Sequence, residues 1–281
     1  MNLNERSLGE NYTKGDKTMS ENKVQSQENA IVTSGEIRTI LQDFCIGKKP
    51  LAKLLGWGET TIIRYIEGDV PTAEYSGKLK SIVEDPVYYY ELLLENKDNL
   101  TNVAYRKTMQ AVLEKMTERK INLIAQYMIY YTQGDLSPGY TQWLLYYAQG
   151  FFLALYEREL FEDEFSVNGE NAPYISLYNS MKKHGINIFE VPVNRLSELE
   201  KNLINKVLDT FCWYGPKALK VLAAYERTNY RISRNKDGQR IIAKELIKSQ
   251  FKDIMTLYGI RSLNEIHKYP DGKFMEIKGI S

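Results

Sequence analysis

Trp143-Leu144-Leu145-Tyr146-Tyr147-Ala148-Gln149-Gly150-Phe151-Phe152-Leu153-Ala154-Leu155-Tyr156 is the most apolar run of the 281-residue chain. A helix that crosses a membrane needs about 20 apolar residues, and this run is shorter and carries Gln149 and Gly150. Leucines and aromatics at nearly every position mean burial on most sides, so the run predicts a core helix. Upstream, Gly134-Asp135 breaks a helical pattern, and Ser137-Pro138 supplies an N-cap with proline in the first turn. The fold expected around such a helix is mainly α, with at most a short β element.

On the N-terminal side, residues 102–131 read as helix, as one or two segments. Five shorter helices fill about 65 residues before them. Thr33 and Glu36 stand at capping-box spacing ahead of Ile37, Ile40, Leu41 and Phe44. A second helix is expected from about Pro50 to Leu55, a third from near Gly58 to Gly68, a fourth over Thr72–Val83, and a fifth from Asp85-Pro86. Residues 1–33 are rich in Asn, Ser, Glu and Lys and nearly free of aromatics, the composition of a disordered tail. Met19 is an alternative start.

On the C-terminal side, residues 161–176 read as a loop with a short strand at most, followed by a helix over Ile175–Lys183. Pro192 falls in a linker. Ser197 and Glu200 repeat the capping box before a helix over 198–214, and Gly215-Pro216 opens another to about Tyr225. Residues 228–240 are polar and basic, a predicted loop. Ile241–Leu257 is a last amphipathic helix, and the final 20 residues read as irregular. The expected division is 1–33, 34–98, a connecting helix over 99–116, and 117–281.

Composition excludes several classes of function. Lys and Arg number 37 against 36 Asp and Glu, so the whole chain is neither a basic nucleic-acid coat nor an acidic tail. The balance is uneven: residues 215–281 hold 14 basic and 7 acidic residues, whereas 34–98 hold 8 and 11. Two cysteines, Cys45 and Cys212, allow no zinc ribbon or disulfide framework and read as buried reduced thiols. With two histidines, His184 and His267, and no recognisable metal, phosphate or nucleophile motif, no cofactor, metal or catalytic residue is assigned. The carboxylates Asp135, Glu162, Asp163 and Glu164 are the best material for an enzyme, but no base or nucleophile accompanies them. The polar N-terminus, without an apolar leader region, points to a cytoplasmic protein.

The segment Leu51-Ala52-Lys53-Leu54-Leu55-Gly56-Trp57-Gly58-Glu59-Thr60-Thr61-Ile62-Ile63-Arg64-Tyr65-Ile66-Glu67-Gly68 resembles a helix-turn-helix of the Xre or phage-repressor kind. Leu51, Ala52 and Leu55 are expected to pack the first helix on the second. Gly56 allows the turn, and Ile62 and Ile66 face the core. Thr60, Thr61, Arg64 and Tyr65 are then the groove-facing candidates, with Lys48 and Lys49 toward the DNA backbone. Glu59 stands where such modules often carry Gln. A helical domain that uses this turn for packing alone is the competing reading.

Residues from about 117 to 260 resemble the Panacea domain of antitoxins. The resemblance rests on Gly134-Asp135-Leu136-Ser137-Pro138, Trp143-Leu144-Leu145-Tyr146-Tyr147-Ala148-Gln149-Gly150, Leu153-Ala154 and Leu160-Phe161. It departs at Val167–Pro173, where the family carries a Trp-x-x-Gly-Pro-Val-like stretch. The resemblance implies an antitoxin that binds a cognate toxin protein directly and represses its own operon through operator DNA. It leaves the class of toxin and the oligomeric state open. Within Tyr225–Arg234, Tyr230, Arg231 and Arg234 are candidate toxin contacts, since Tyr and Arg are frequent interface anchors. A solvated basic loop or an RNA contact are the alternatives there. The competing function is a transcriptional regulator whose C-terminal part dimerises or senses a ligand.

Overall fold

A computed structural model describes residues 31–168, 172–186, 195–227, 231–277 and 279. These form thirteen α-helices and three short strands, a mainly α fold. The chain divides into two compact units, one ending at Leu113 and the other beginning at Glu114. The expected disordered tail lies outside the described residues up to residue 30. Its end is corrected, because Val32 is already buried.

The first unit contains α1 (Ser34–Asp43), α2 (Lys48–Leu54), α3 (Thr61–Glu67), α4 (Ala73–Glu84), α5 (Pro86–Glu95) and most of α6 (Asn102–Met116). The Thr33–Glu36 capping box forms in both directions, and Asp85 caps α5 with Pro86 in its first turn. α3 packs on α1 and α2, while α4 packs on α1 and α5. Ile37, Ile40, Leu51, Ile62 and Leu79 are fully buried. Arg38 adds a clamp, its guanidinium donating to the Ile66 carbonyl at 3.2 Å. Three details differ from expectation. α3 starts at Thr61 rather than near Gly58, because the chain first closes a turn in which the Thr61 amide donates to the Gly58 carbonyl. Leu54, not Leu55, is the third core residue of α2, because the helix ends at Leu54 and Leu55 is its half-buried C-cap. Ile66 is only half-buried, one turn beyond Ile62 at the end of the helix.

The second unit is built around α8 (Pro138–Tyr156), whose residues Tyr140–Ala154 are all buried. Ser137 caps it as predicted. Around it pack α7 (Lys120–Tyr131), α9 (Ile175–His184), α10 (Glu198–Phe211), α11 (Gly215–Arg227) and α12 (Lys244–Leu257). The closest approach is at Gly150, where a Cβ would stand 2.3 Å from the Phe251 ring of α12, so only glycine fits. Gln149 turns inward and satisfies the chain at Leu160 and Phe161. The second capping box, Ser197 with Glu200, also forms.

Two expectations are corrected in this unit. Residues 231–242 are not a loop and a helix start but a hairpin, β2 (Ile232–Arg234) and β3 (Arg240–Ile242). It joins β1 (Phe165–Ser166) in an antiparallel sheet of order β1-β3-β2. Asn235 builds the turn by accepting from the Asp237 and Gln239 amides, and Ile241 and Ile242 anchor β3 in the core. The last residues are not irregular: α13 (Lys268–Ile277) docks through buried Tyr269 and Pro270. Pro270 masks the helix in the sequence, yet it lies in the first turn, where proline is tolerated.

Candidate functional site

The surface around α2, the following turn and α3 collects the residues that the sequence picks out for nucleic acid. Lys48 and Lys49 are exposed at the start of α2. The helix closes with the Trp57 amide bonded to the Ala52 carbonyl at 2.8 Å, and Gly56 takes a φ of +70° that a side chain would strain. Thr60 is exposed and Thr61 half-buried, and the Thr60 side chain makes no cap bond to α3. Arg64 is exposed. Tyr65 is half-buried with its ring edge-on to Tyr75, which also packs at a tilt against Trp57, ring centres 4.2 Å apart. Burial pushes the Tyr65 hydroxyl above its ordinary pKa, with the neighbouring Tyr75 adding to the shift. Tyr65 therefore serves packing as much as display.

Two carboxylates occupy the cations of this surface. Glu59 bridges Lys53 at 2.9 Å and Lys49 at 3.4 Å, and these partners, Lys53 foremost, hold its carboxyl below the ordinary range. Asp69 holds Arg64 at 2.7 Å, which raises the guanidinium further above its already high value. Lys53, Glu59 as a lock, and Asp69 were not legible as site residues. Each pair spans a turn or a helix end, so no i,i+4 spacing announces it. The surface can contact phosphate through Lys48, Lys49 and Lys53 and base edges through Thr60 and Arg64, in competition with Glu59 and Asp69.

In the second unit, Arg231 and Arg234 are exposed on and beside β2, while Tyr230 lies outside the described residues. Arg234 spends one donor on the Gly238 carbonyl at 2.7 Å. Glu162, Asp163 and Glu164 border a polar cleft of about 510 Å³, and Asp163 and Glu164 also line a second, mixed cleft of about 320 Å³. There Arg119 holds Asp163, Asn235 donates to Glu164, and the Lys244 ammonium donates to the Glu162 carbonyl. Asp135 lies away from these two clefts, in the turn before α8. Cys45 is exposed and Cys212 half-buried, which corrects the expectation of two buried thiols. Cys45 follows α1 in a left-handed conformation that turns it outward.

Glu226 is the residue of this unit that sequence reasoning placed wrongly, inside a polar contact stretch. It is buried, and its carboxylate accepts from the hydroxyls of Tyr146 at 2.7 Å, Tyr147 at 3.0 Å and Tyr269. The signal was present: Leu219, Leu222, Ala223 and Glu226 follow helical spacing on one face of α11.

Among the described residues, no group of His, Cys, Asp and Glu comes together to hold a metal ion, and no helix is long and apolar enough to cross a membrane. No family model, curated protein or solved structure matches the chain.

Proposed function

We propose that the chain is an antitoxin. The second unit neutralises a toxin enzyme by direct binding, and the α2–turn–α3 segment acts as a helix-turn-helix on operator DNA. The observation that carries this reading is the division into two units with separate cores and different surfaces. The first unit presents Thr60 at the N-cap and Arg64 on the exposed side of a helix fixed from beneath by Ile62 and packed on two others. The second encloses the run that resembles the Panacea domain, and its exposed hairpin carries Arg231 and Arg234. A basic hairpin favours an acidic partner surface and speeds association with it.

Co-expression with the product of the adjacent gene tests the reading. The expected results are restored growth, a complex of fixed stoichiometry, and weaker association when Arg231 and Arg234 are both changed to Glu, most clearly at low salt. A neighbouring product that is harmless alone, or toxicity that the chain leaves untouched, overturns it. The second reading is a transcriptional regulator without a toxin. The two clefts around Asp163 favour it, since they offer a ligand-sized space. An operator-binding chain with a harmless neighbour would select it.

A further inference from the structure

The C-terminal ends of α7 and α10 meet at a groove of about 390 Å³, lined by Tyr131, Thr132, Leu208, Asp209, Cys212 and Trp213. Trp213 directly follows the C-cap of α10 and is 88% exposed, the highest exposure among the large apolar side chains described. Tyr131 on the opposite rim is 49% exposed, and Leu208 is buried beneath them. Aromatic side chains left in water beside a concave apolar floor mark interaction surfaces, and tryptophan is the most enriched interface anchor.

The groove is also negative. Asp209 on α10 lines the groove, and Asp135, whose amide donates to the carbonyl of the lining residue Thr132 at 3.1 Å, stands beside it; both are exposed, and neither carboxylate has an ion-pair partner among the described residues. Both helices end here without a basic residue in the last turn, so the negative ends of their dipoles are not offset from within. The Tyr140 hydroxyl bonds the Cys212 carbonyl at 2.8 Å and approaches that of Phe211 at 3.3 Å, which satisfies only part of the α10 terminus. The Cys212 thiol senses the same field. Burial raises its pKa, and Asp135 and Asp209 add to the rise against the Tyr140 hydrogen bond.

We propose that this groove docks a segment of a partner protein that lays an arginine or lysine, flanked by apolar residues, across the Trp213 indole toward Asp209 and Asp135. A cation over an indole face gains from the ring quadrupole, and the apolar stem covers Leu208 and Tyr131. An acidic segment would meet two carboxylates. A second copy of the chain, paired through Trp213, would bring its own Asp209 against this one. The charge preference is opposite to that of the Arg231–Arg234 hairpin, so this surface does not depend on the antitoxin reading.

The test uses the full chain and two labelled ten-residue peptides, one alternating Leu and Arg, the other Leu and Glu. The Leu-Arg peptide is expected to bind by fluorescence anisotropy and to shield Trp213 from acrylamide quenching. Asp209→Lys is expected to weaken it at least fivefold, and Trp213→Ala to abolish it. Both side chains are exposed, so both variants should keep the wild-type melting temperature. Absence of binding, equal binding to wild type and variants, or equal binding of the Leu-Glu peptide overturns the proposal. Self-association that disappears in Trp213→Ala also overturns it, in favour of a second copy as the occupant.

Discussion

α3 in the first unit and α8 in the second are both helices, but they are stabilised in opposite ways. α3 has a single fully buried residue, Ile62, and keeps its remaining side chains at least partly in solvent. α8 is surrounded: Tyr140 through Ala154 are all buried, and neighbouring helices supply the contacts. On α3 the side chains that do not pack are the ones available to a ligand. On α8 nothing is available, so its composition defines the architecture and says nothing about contacts. A run of aromatics is therefore evidence of fold, whereas a short helix with one anchoring isoleucine leaves most of its side chains at the surface.

The largest expected effect breaks α8. Trp143 is 2% exposed, and its ring lies edge-on to Tyr146 at 6.3 Å. Trp143→Ala removes a core aromatic, a change that costs about 3–5 kcal/mol. In calorimetry of the full chain, the transition of the second unit should fall by many degrees while that of the first stays in place. A single transition that shifts as a whole would show that the two cores do not melt separately. A negligible shift would show that α8 does not carry the second unit.

A smaller effect is expected on the exposed side of the comparison. Arg64→Ala leaves every core contact in place, so the melting temperature should not move. Affinity for promoter DNA upstream of its own gene, titrated by anisotropy at fixed salt, should drop roughly tenfold if the guanidinium reads a base. Unchanged affinity would remove Arg64 from the reading surface. Failure of the wild type to bind, with or without a partner, would leave the turn with packing as its only role.

These two helices also show what the sequence could disclose. Caps were legible because they are local: Thr33–Glu36, Asp85-Pro86, Ser137-Pro138 and Ser197–Glu200 all form. The apolar spacing of the helices was legible for the same reason. The β2–β3 hairpin was not, because its two strands are three residues each, too short to alternate visibly, and the β1 partner of β3 lies more than 70 positions away. α13 was hidden by Pro270 and Gly272, although Gly272 is required where the Tyr258 ring passes 2.7 Å from the position of a Cβ. On the α2–turn–α3 surface Lys49 and Arg64 were legible as candidates and their ion pairs were not, since these bonds depend on how the turn folds.

That occupancy gives the smallest prediction and the sharpest test of what exposure on α3 means. Glu59 ties Lys53 and Lys49, so the cations nearest α2 are neutralised within the fold. Exposed ion pairs are weak, and DNA phosphates can compete for the same lysines. If the surface binds DNA as proposed, the competition lowers affinity, because each phosphate contact must first displace a carboxylate that also repels the duplex. Acid should not relieve it at mild pH. The Glu59 carboxyl is held below its ordinary pKa, so it stays charged until the pH falls under the usual carboxylate range. Substitution is the effective route. Glu59→Gln should raise promoter affinity about two- to fivefold at low salt and steepen its salt dependence by about one unit of slope, as one more phosphate is neutralised. The melting temperature should stay within a degree or two, since the Glu59 side chain is exposed and its ion pairs lie at the surface. A loss of affinity in Glu59→Gln would mean that the bridge orients Lys49 and Lys53 for DNA rather than withholding them, and the repulsive reading of Glu59 would fall.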